Sequence, residues 1–102
     1  IRVPTPNVSL VDFKFNTQKA ISVEGLNKKF QEYANGPLKG IMGVDTDPKV
    51  SSDYNHDSRS SILDLTETTA VSDNFGRVLT WYDNEWGFSN RMLETTEQVC
   101  KL

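Results

Sequence analysis

Apolar and polar side chains alternate from Val8 onward. Val11, Phe13 and Phe15 fall on one side of an extended chain, and Asp12, Lys14 and Asn16 fall on the other. Val8 and Leu10 make the start of the run apolar on both sides, which predicts a long strand that begins deep in a sheet. Ahead of it, Pro4 and Pro6 push Val3 and Thr5 toward extended geometry, so the chain enters as an irregular strand. The period then changes. Val23, Leu26, Phe30 and Tyr33 or Ala34 recur at helical spacing behind Ser22, whose hydroxyl suits an N-cap, and Glu24 in the first turn complements the helix dipole. Gly36 can close the last turn and Pro37 blocks continuation, so a helix is expected over Val23–Asn35. Lys28, Lys29, Gln31 and Glu32 form its wet face.

Beyond this helix, Leu38 to Val44 reads as a short strand and Asp45-Thr46-Asp47-Pro48 as a turn. Val50 to Tyr54 reads as another short strand. Ser61–Leu65, Thr68–Ser72 and Phe75–Tyr82 read as three consecutive strands, the last two joined by a hairpin turn at Asp73-Asn74. The run Trp81-Tyr82-Asp83-Asn84-Glu85-Trp86-Gly87 then joins strand to helix, with Asn84 placed where the free N–H groups of a helix start need an acceptor. A final helix is expected over Glu85–Cys100, with Trp86, Ser89, Met92, Leu93, Thr96, Val99 and Cys100 on one stripe. Gly87 in its first turn costs about 1 kcal/mol against Ala, which points to close approach by a backbone or a ligand. The pattern predicts one α+β domain over residues 1–102. Its sheet is expected to be mainly antiparallel, of about five strands, with both helices packed on one face.

Composition narrows the function. The chain has 102 residues, 36% of them hydrophobic, and a formal net charge of −3. No basic cluster is long enough to form a patch, which argues against nucleic-acid or anionic-membrane partners. No apolar run is long enough to span a bilayer. The opening Ile1-Arg2-Val3-Pro4 is neither an initiator Met nor a secretory signal, and it reads as the middle of a longer protein. The single cysteine, Cys100, permits neither an intrachain disulfide nor a cysteine metal cluster, which fits a reducing compartment. It lies near a helix C-terminus, where the dipole disfavours a thiolate, so it reads as a packing residue.

Three groupings could carry chemistry. Asp45 and Asp47 form a carboxylate pair, but no further ligand stands at useful spacing, and an Asx-type turn accounts for them. His56, Asp57 and Ser60 contain the types of a hydrolytic triad. Adjacent His and Asp do not align in relay from one loop, and no nucleophile-elbow sequence is present, so His56 reads as a loop or subunit-contact residue. At the last strand-to-helix corner, Asp83, Asn84 and Glu85 set three acceptor side chains on an aromatic floor, as a ligand site requires. A capped helix start with aromatic packing beneath it explains the same residues. No glycine group forms G-x-G-x-x-G after a strand, so a dinucleotide-binding half is not encoded.

The wording of particular stretches adds a family. Tyr82-Asp83-Asn84-Glu85-Trp86-Gly87 followed by Ser89-Asn90-Arg91 closely resembles the last helix start of glyceraldehyde-3-phosphate dehydrogenase. Arg2-Val3-Pro4-Thr5-Pro6-Asn7-Val8-Ser9, Gly36-Pro37-Leu38-Lys39-Gly40-Ile41 and Ser51-Ser52-Asp53-Tyr54-Asn55 match in the same order and at about the same spacing. The resemblance covers essentially the whole chain and identifies it with the C-terminal part of that family's catalytic domain.

The resemblance implies a set of roles. The Arg directly before Val-Pro-Thr, here Arg2, would bind the phosphate of the substrate or the attacking inorganic phosphate. Asn84 matches the Asn that hydrogen-bonds the nicotinamide carboxamide and fixes which ring face receives hydride. The NAD- or NADP-binding Rossmann domain, the catalytic thiolate and the general-base His would lie upstream. Position 88 is Phe where the family usually has Tyr near the nicotinamide, so the ring surface is kept and the hydroxyl lost. A cytoplasmic or plastid location and a homotetramer are implied, with no metal. The chain alone is expected to be inactive, and to self-associate or stay bound to the N-terminal remainder of its parent through surface around Phe13, Phe15, Trp81 and Trp86. Two function classes remain open, a piece of the phosphorylating dehydrogenase and a non-catalytic interaction or assembly module that kept the scaffold.

Overall fold

A computed structural model describes residue 1 and residues 3–102. Its elements are strand β1 (Ser9–Asn16), helix α1 (Val23–Asn35), strand β2 (Met42–Asp45), a 3-10 turn (Ser51–Tyr54), strands β3 (Ser61–Ser72) and β4 (Phe75–Tyr82), and helix α2 (Asn84–Cys100). The strands form one sheet in the order β1-β4-β3-β2. β4 pairs antiparallel with both β1 and β3, but β2 runs parallel to β3. The α+β class therefore holds, while the described sheet has four strands rather than five and is mixed.

Two changes account for the difference in strand number. The expected strands Ser61–Leu65 and Thr68–Ser72 are one strand, because β3 continues through a register shift between Asp64 and Thr69. In that irregular stretch the Leu65 carbonyl accepts from the Asn27 side chain of α1 at 3.1 Å, so this carbonyl is satisfied from outside the ladder. The expected strand Val50–Tyr54 curls instead into the 3-10 turn, where Asp53 Oδ2 accepts from Val50 N–H at 2.8 Å. That turn lies within the Thr46–Ser60 crossover that parallel pairing of β2 and β3 requires.

The crossover and α1 cover opposite faces of the sheet. On one face Leu63, Leu65 and Val78 form a core with Phe15, Met42, Val44 and Phe30 of α1. On the other, Ile62 packs with Val8 and Tyr54, and Trp81 lies against them, its ring 5.4 Å from that of Tyr54. Neighbours Ile62 and Leu63 thus point to different cores, as the two-residue period of a strand demands. Ser22 caps α1 by accepting from Gly25 N–H at 3.1 Å. Gly36 ends it without a left-handed turn: its φ is −117°, and a Cβ there would sit 2.9 Å from the Glu32 carbonyl oxygen.

Helix α2 departs from expectation. Only its first turns meet the rest of the chain, and from Met92 to Leu102 every residue is exposed. Both helices were expected on one sheet face, but only α1 packs there. The stripe of Met92, Leu93 and Val99 is amphipathic in sequence, yet α1 and the 3-10 turn already occupy the two faces. Periodicity shows that a helix has an apolar side, and not what covers that side.

This arrangement makes a contrast in stability. Ile62, with no exposed surface, should lose about 2–5 kcal/mol on substitution by Ala. Leu93, 71% exposed, should lose no more than about 0.5 kcal/mol. Urea denaturation of Ile62→Ala and Leu93→Ala at low protein concentration checks both.

Candidate functional site

The site grows from the corner between β4 and α2. Residue 83 is still extended, with φ −84° and ψ 104°, and its side chain turns inward until only 1% of the residue is exposed. A buried carboxylate is costly unless donors surround it. Asp83 has three. Its Oδ1 accepts from Trp86 N–H at 3.0 Å, and its Oδ2 accepts from His56 N–H at 2.9 Å and from Asn7 Nδ2 at 2.9 Å. The first of these is an N-cap bond, so the cap is Asp83 and not Asn84, one residue earlier than expected. The other two reach a loop and a terminal segment far away in sequence.

The loop donor needs an unusual backbone. His56 has φ 62°, a left-handed conformation that His adopts more readily than most residues. Val8, beside the other donor, has φ 70°. For a β-branched residue this conformation costs on the order of 1–3 kcal/mol and persists only where its surroundings enforce it. Val8 is buried against Tyr54 and Ile62, while the Asn7 side chain bridges Asp83 and Asn55 Oδ1, the latter at 2.8 Å.

Electrostatics agree with this geometry. Burial pushes the Asp83 carboxyl up, but the His56 and Trp86 N–H groups and the Asn7 amide outweigh it and hold the group below the ordinary carboxylate range. A second acid, Asp45, is also buried and also held low, through the ammonium of Lys49 and the N–H of Asp47. Its Asp47 bond, at 3.1 Å, is the Asx turn read from the sequence.

Around the corner lies an open cleft of about 1040 Å³. Ile1, Val3, Thr5 and Asn7 form one wall, β1 and the Lys49–Ser51 turn contribute others, and Trp81, Tyr82, Asn84 and Glu85 close the end. Asn84 is exposed on the first turn of α2, and among the described residues nothing bonds its amide, which leaves it able to donate and accept at the cleft. Arg2, the other site residue read from the sequence, lies outside the described residues. Of the aromatic floor, Trp81 lines the cleft, whereas Trp86 stacks on His56 at 4.7 Å on the other side of the corner. Gly87 fulfils its expectation: a Cβ there would meet the Arg59 carbonyl oxygen at 3.2 Å, so the approach is by backbone.

The discarded groupings stay apart from this site. Asp57 pairs with Arg59, not with His56. Cys100 is free and exposed at the far end of α2, so it does not pack as expected. Phe88 is also exposed. Sequence reading missed Asp83 and Asn7 as the residues that assemble the corner. An Asp directly before a helical pattern was the available signal for the first, while nothing local marks Asn7.

Comparison with known proteins bears on the same residues. The family model for the C-terminal domain of glyceraldehyde 3-phosphate dehydrogenase matches residues 1–84. Proteins named glyceraldehyde-3-phosphate dehydrogenase are similar along the chain. Those of Cereibacter sphaeroides and Xanthobacter flavus are each 49% identical over 102 residues, all of this chain. That of Zymomonas mobilis is 46% identical over 99% of it. The chain spans 31%, 30% and 30% of the length of these relatives.

Asp83→Ala should destabilise the chain by about 3 kcal/mol, since it removes a cap, leaves the part-buried His56 N–H without its acceptor and takes one of the two acceptors from the Asn7 amide. The pH dependence has a definite sign. A carboxyl whose folded-state pKa is depressed contributes stability that is complete above the unfolded value of about 3.9, and loses it as pH falls through the lower folded value. Chemical denaturation at pH 7 and across the acid range should therefore show a shallower acid loss in Asp83→Asn than in the wild type.

Proposed function

The chain belongs to the glyceraldehyde-3-phosphate dehydrogenase family, and on that premise we propose that it supplies the C-terminal part of the catalytic domain of a phosphorylating dehydrogenase. Its parent oxidises an aldehyde with NAD or NADP and inorganic phosphate. In this reading Arg2 binds phosphate, its planar fork matching two phosphate oxygens, and Asn84 hydrogen-bonds the nicotinamide carboxamide. The cleft supports this reading. Ile1 and Val3, the described neighbours of Arg2 in sequence, line the same cleft as Asn84, whose amide is bonded by none of the described residues. A carboxamide needs one donor and one acceptor, and an unengaged Asn side chain offers both. The nicotinamide supplies the hydride acceptor. Asn84 orients it, Arg2 neutralises phosphate charge, and the thiolate nucleophile and general base come from the upstream part of the parent.

The same reading accounts for the uncovered surface. Val11 and Phe13 on β1, and Met92, Leu93 and Val99 on α2, are large exposed apolar side chains. Of the aromatics expected in such a patch, Phe13 and Trp86 are exposed, whereas Phe15 and Trp81 join the two cores. The upstream part of the parent, or further copies of it, would cover these faces. Extended apolar surface of this kind rarely belongs to a monomer.

Two measurements test the proposal. The 102-residue chain should show no turnover of glyceraldehyde 3-phosphate, and joining it to the upstream part of the Cereibacter sphaeroides relative should restore phosphate-dependent oxidation. In that joined enzyme Arg2→Ala should raise the KM for phosphate, through loss of a charge-assisted contact worth about 1.5–3 kcal/mol. Turnover by the chain alone, or unchanged phosphate kinetics in Arg2→Ala, would defeat the corresponding role. Sedimentation at micromolar concentration should show self-association, and a clean 11.5 kDa species would contradict the covering of its apolar faces.

A further inference from the structure

A helix cap needs one acceptor, and Asp83 presents two oxygens with separate duties. Oδ1 takes the cap bond from Trp86 N–H. Oδ2 does nothing for the helix. It takes His56 N–H from the loop before β3 and Asn7 Nδ2 from the segment before β1, both at 2.9 Å. Asn84 is the next residue, so its position follows from where this carboxylate is held.

The rest of the seat of α2 comes from the same loop. Gly87 rests against the Arg59 carbonyl oxygen and the Ser60 Cα, and Arg91 Nη1 reaches Ser60 Oγ at 3.4 Å. Beyond Arg91 every residue of the helix is exposed and cannot fix its direction. The orientation of the first turn thus depends on a small set of contacts, and the bonds to Oδ2 are the ones that link it to a wall of the cleft. Asn7 lines that cleft together with Asn84.

We propose that Asp83 is a positioning residue for the nicotinamide-binding amide of Asn84: through Oδ2 it locks the first turn of α2 to His56 and to the cleft wall at Asn7. This rests on the reading of Asn84 given above. It adds that Asn84 orients its ligand only while the Oδ2 bonds stand, independently of whether α2 is capped.

Serine separates the two duties. The hydroxyl in Asp83→Ser caps a helix well, but it is a single short oxygen that cannot also span to His56 and Asn7. In the 102-residue chain, Asp83→Ser should keep its helical circular dichroism, while the backbone order parameter of Asn84 falls from about 0.85 toward 0.6. In the joined enzyme, with a deuterated aldehyde, it should deliver label to both faces of the nicotinamide. Its kcat should fall at least about tenfold with aldehyde KM unchanged, as expected when a positioning contact shifts by a fraction of an ångström. Asn84→Ala should lose face selectivity as well. An unchanged order parameter and retained face selectivity in Asp83→Ser, with selectivity lost in Asn84→Ala, would overturn the role of Asp83 alone. Retained selectivity in Asn84→Ala would overturn the reading of Asn84, and the role of Asp83 with it.

Discussion

A buried carboxylate can remain ionised only where donors replace the water it has lost. Asp83 meets this condition with two backbone N–H groups and one side-chain amide from three separate parts of the chain. The requirement binds in both directions. The acid needs the left-handed His56 and the bridging Asn7, and in return its Oδ2 is the acceptor that ties those two segments to the start of α2. The cleft between the terminal segment and the start of α2 is the space this knot leaves open.

The sheet supplies the rigid base for this corner. β4 is central, paired on both sides, and it delivers Tyr82 and Asp83 at the end of an antiparallel ladder that starts with Ser9 opposite Tyr82. Opposite faces are closed by different devices, helix α1 on one and the 3-10 turn with Tyr54 on the other. That division explains why β3 carries consecutive apolar residues at Ile62 and Leu63 where a half-exposed strand would alternate. It also leaves β1 at an edge with Val11 and Phe13 in solvent, and α2 with an apolar stripe that no described residue covers.

How far the sequence disclosed this structure depended on whether the deciding interaction was local. Helix α1 was legible to its ends because Ser22, Gly36 and Pro37 act within a few residues of the turns they limit. The Asp73-Asn74 hairpin was legible for the same reason. The direction of β2 was not, because parallel pairing with β3 is decided across a crossover, and Leu38–Val44 carries no periodicity that distinguishes the two senses. One long β3 was read as two strands since the bulge after Asp64 breaks the alternation, and the Asn27 bond that rescues the Leu65 carbonyl comes from another element. At the site, Asp83 and Asn84 are equally good caps by intrinsic preference. Only the distant donors Asn7 and His56 decide between them, by drawing Asp83 inward and leaving Asn84 to the cleft.

The Asp83 carboxylate holds this corner closed in the folded chain. Amide hydrogen exchange at His56 tests it most directly, because that N–H stands in a loop and has no backbone acceptor to protect it. Exchange at His56 should be slowed to the level of the β3–β4 ladder amides and released in Asp83→Ala. Free exchange at His56 in the wild-type chain, with the ladder amides still protected, would contradict it.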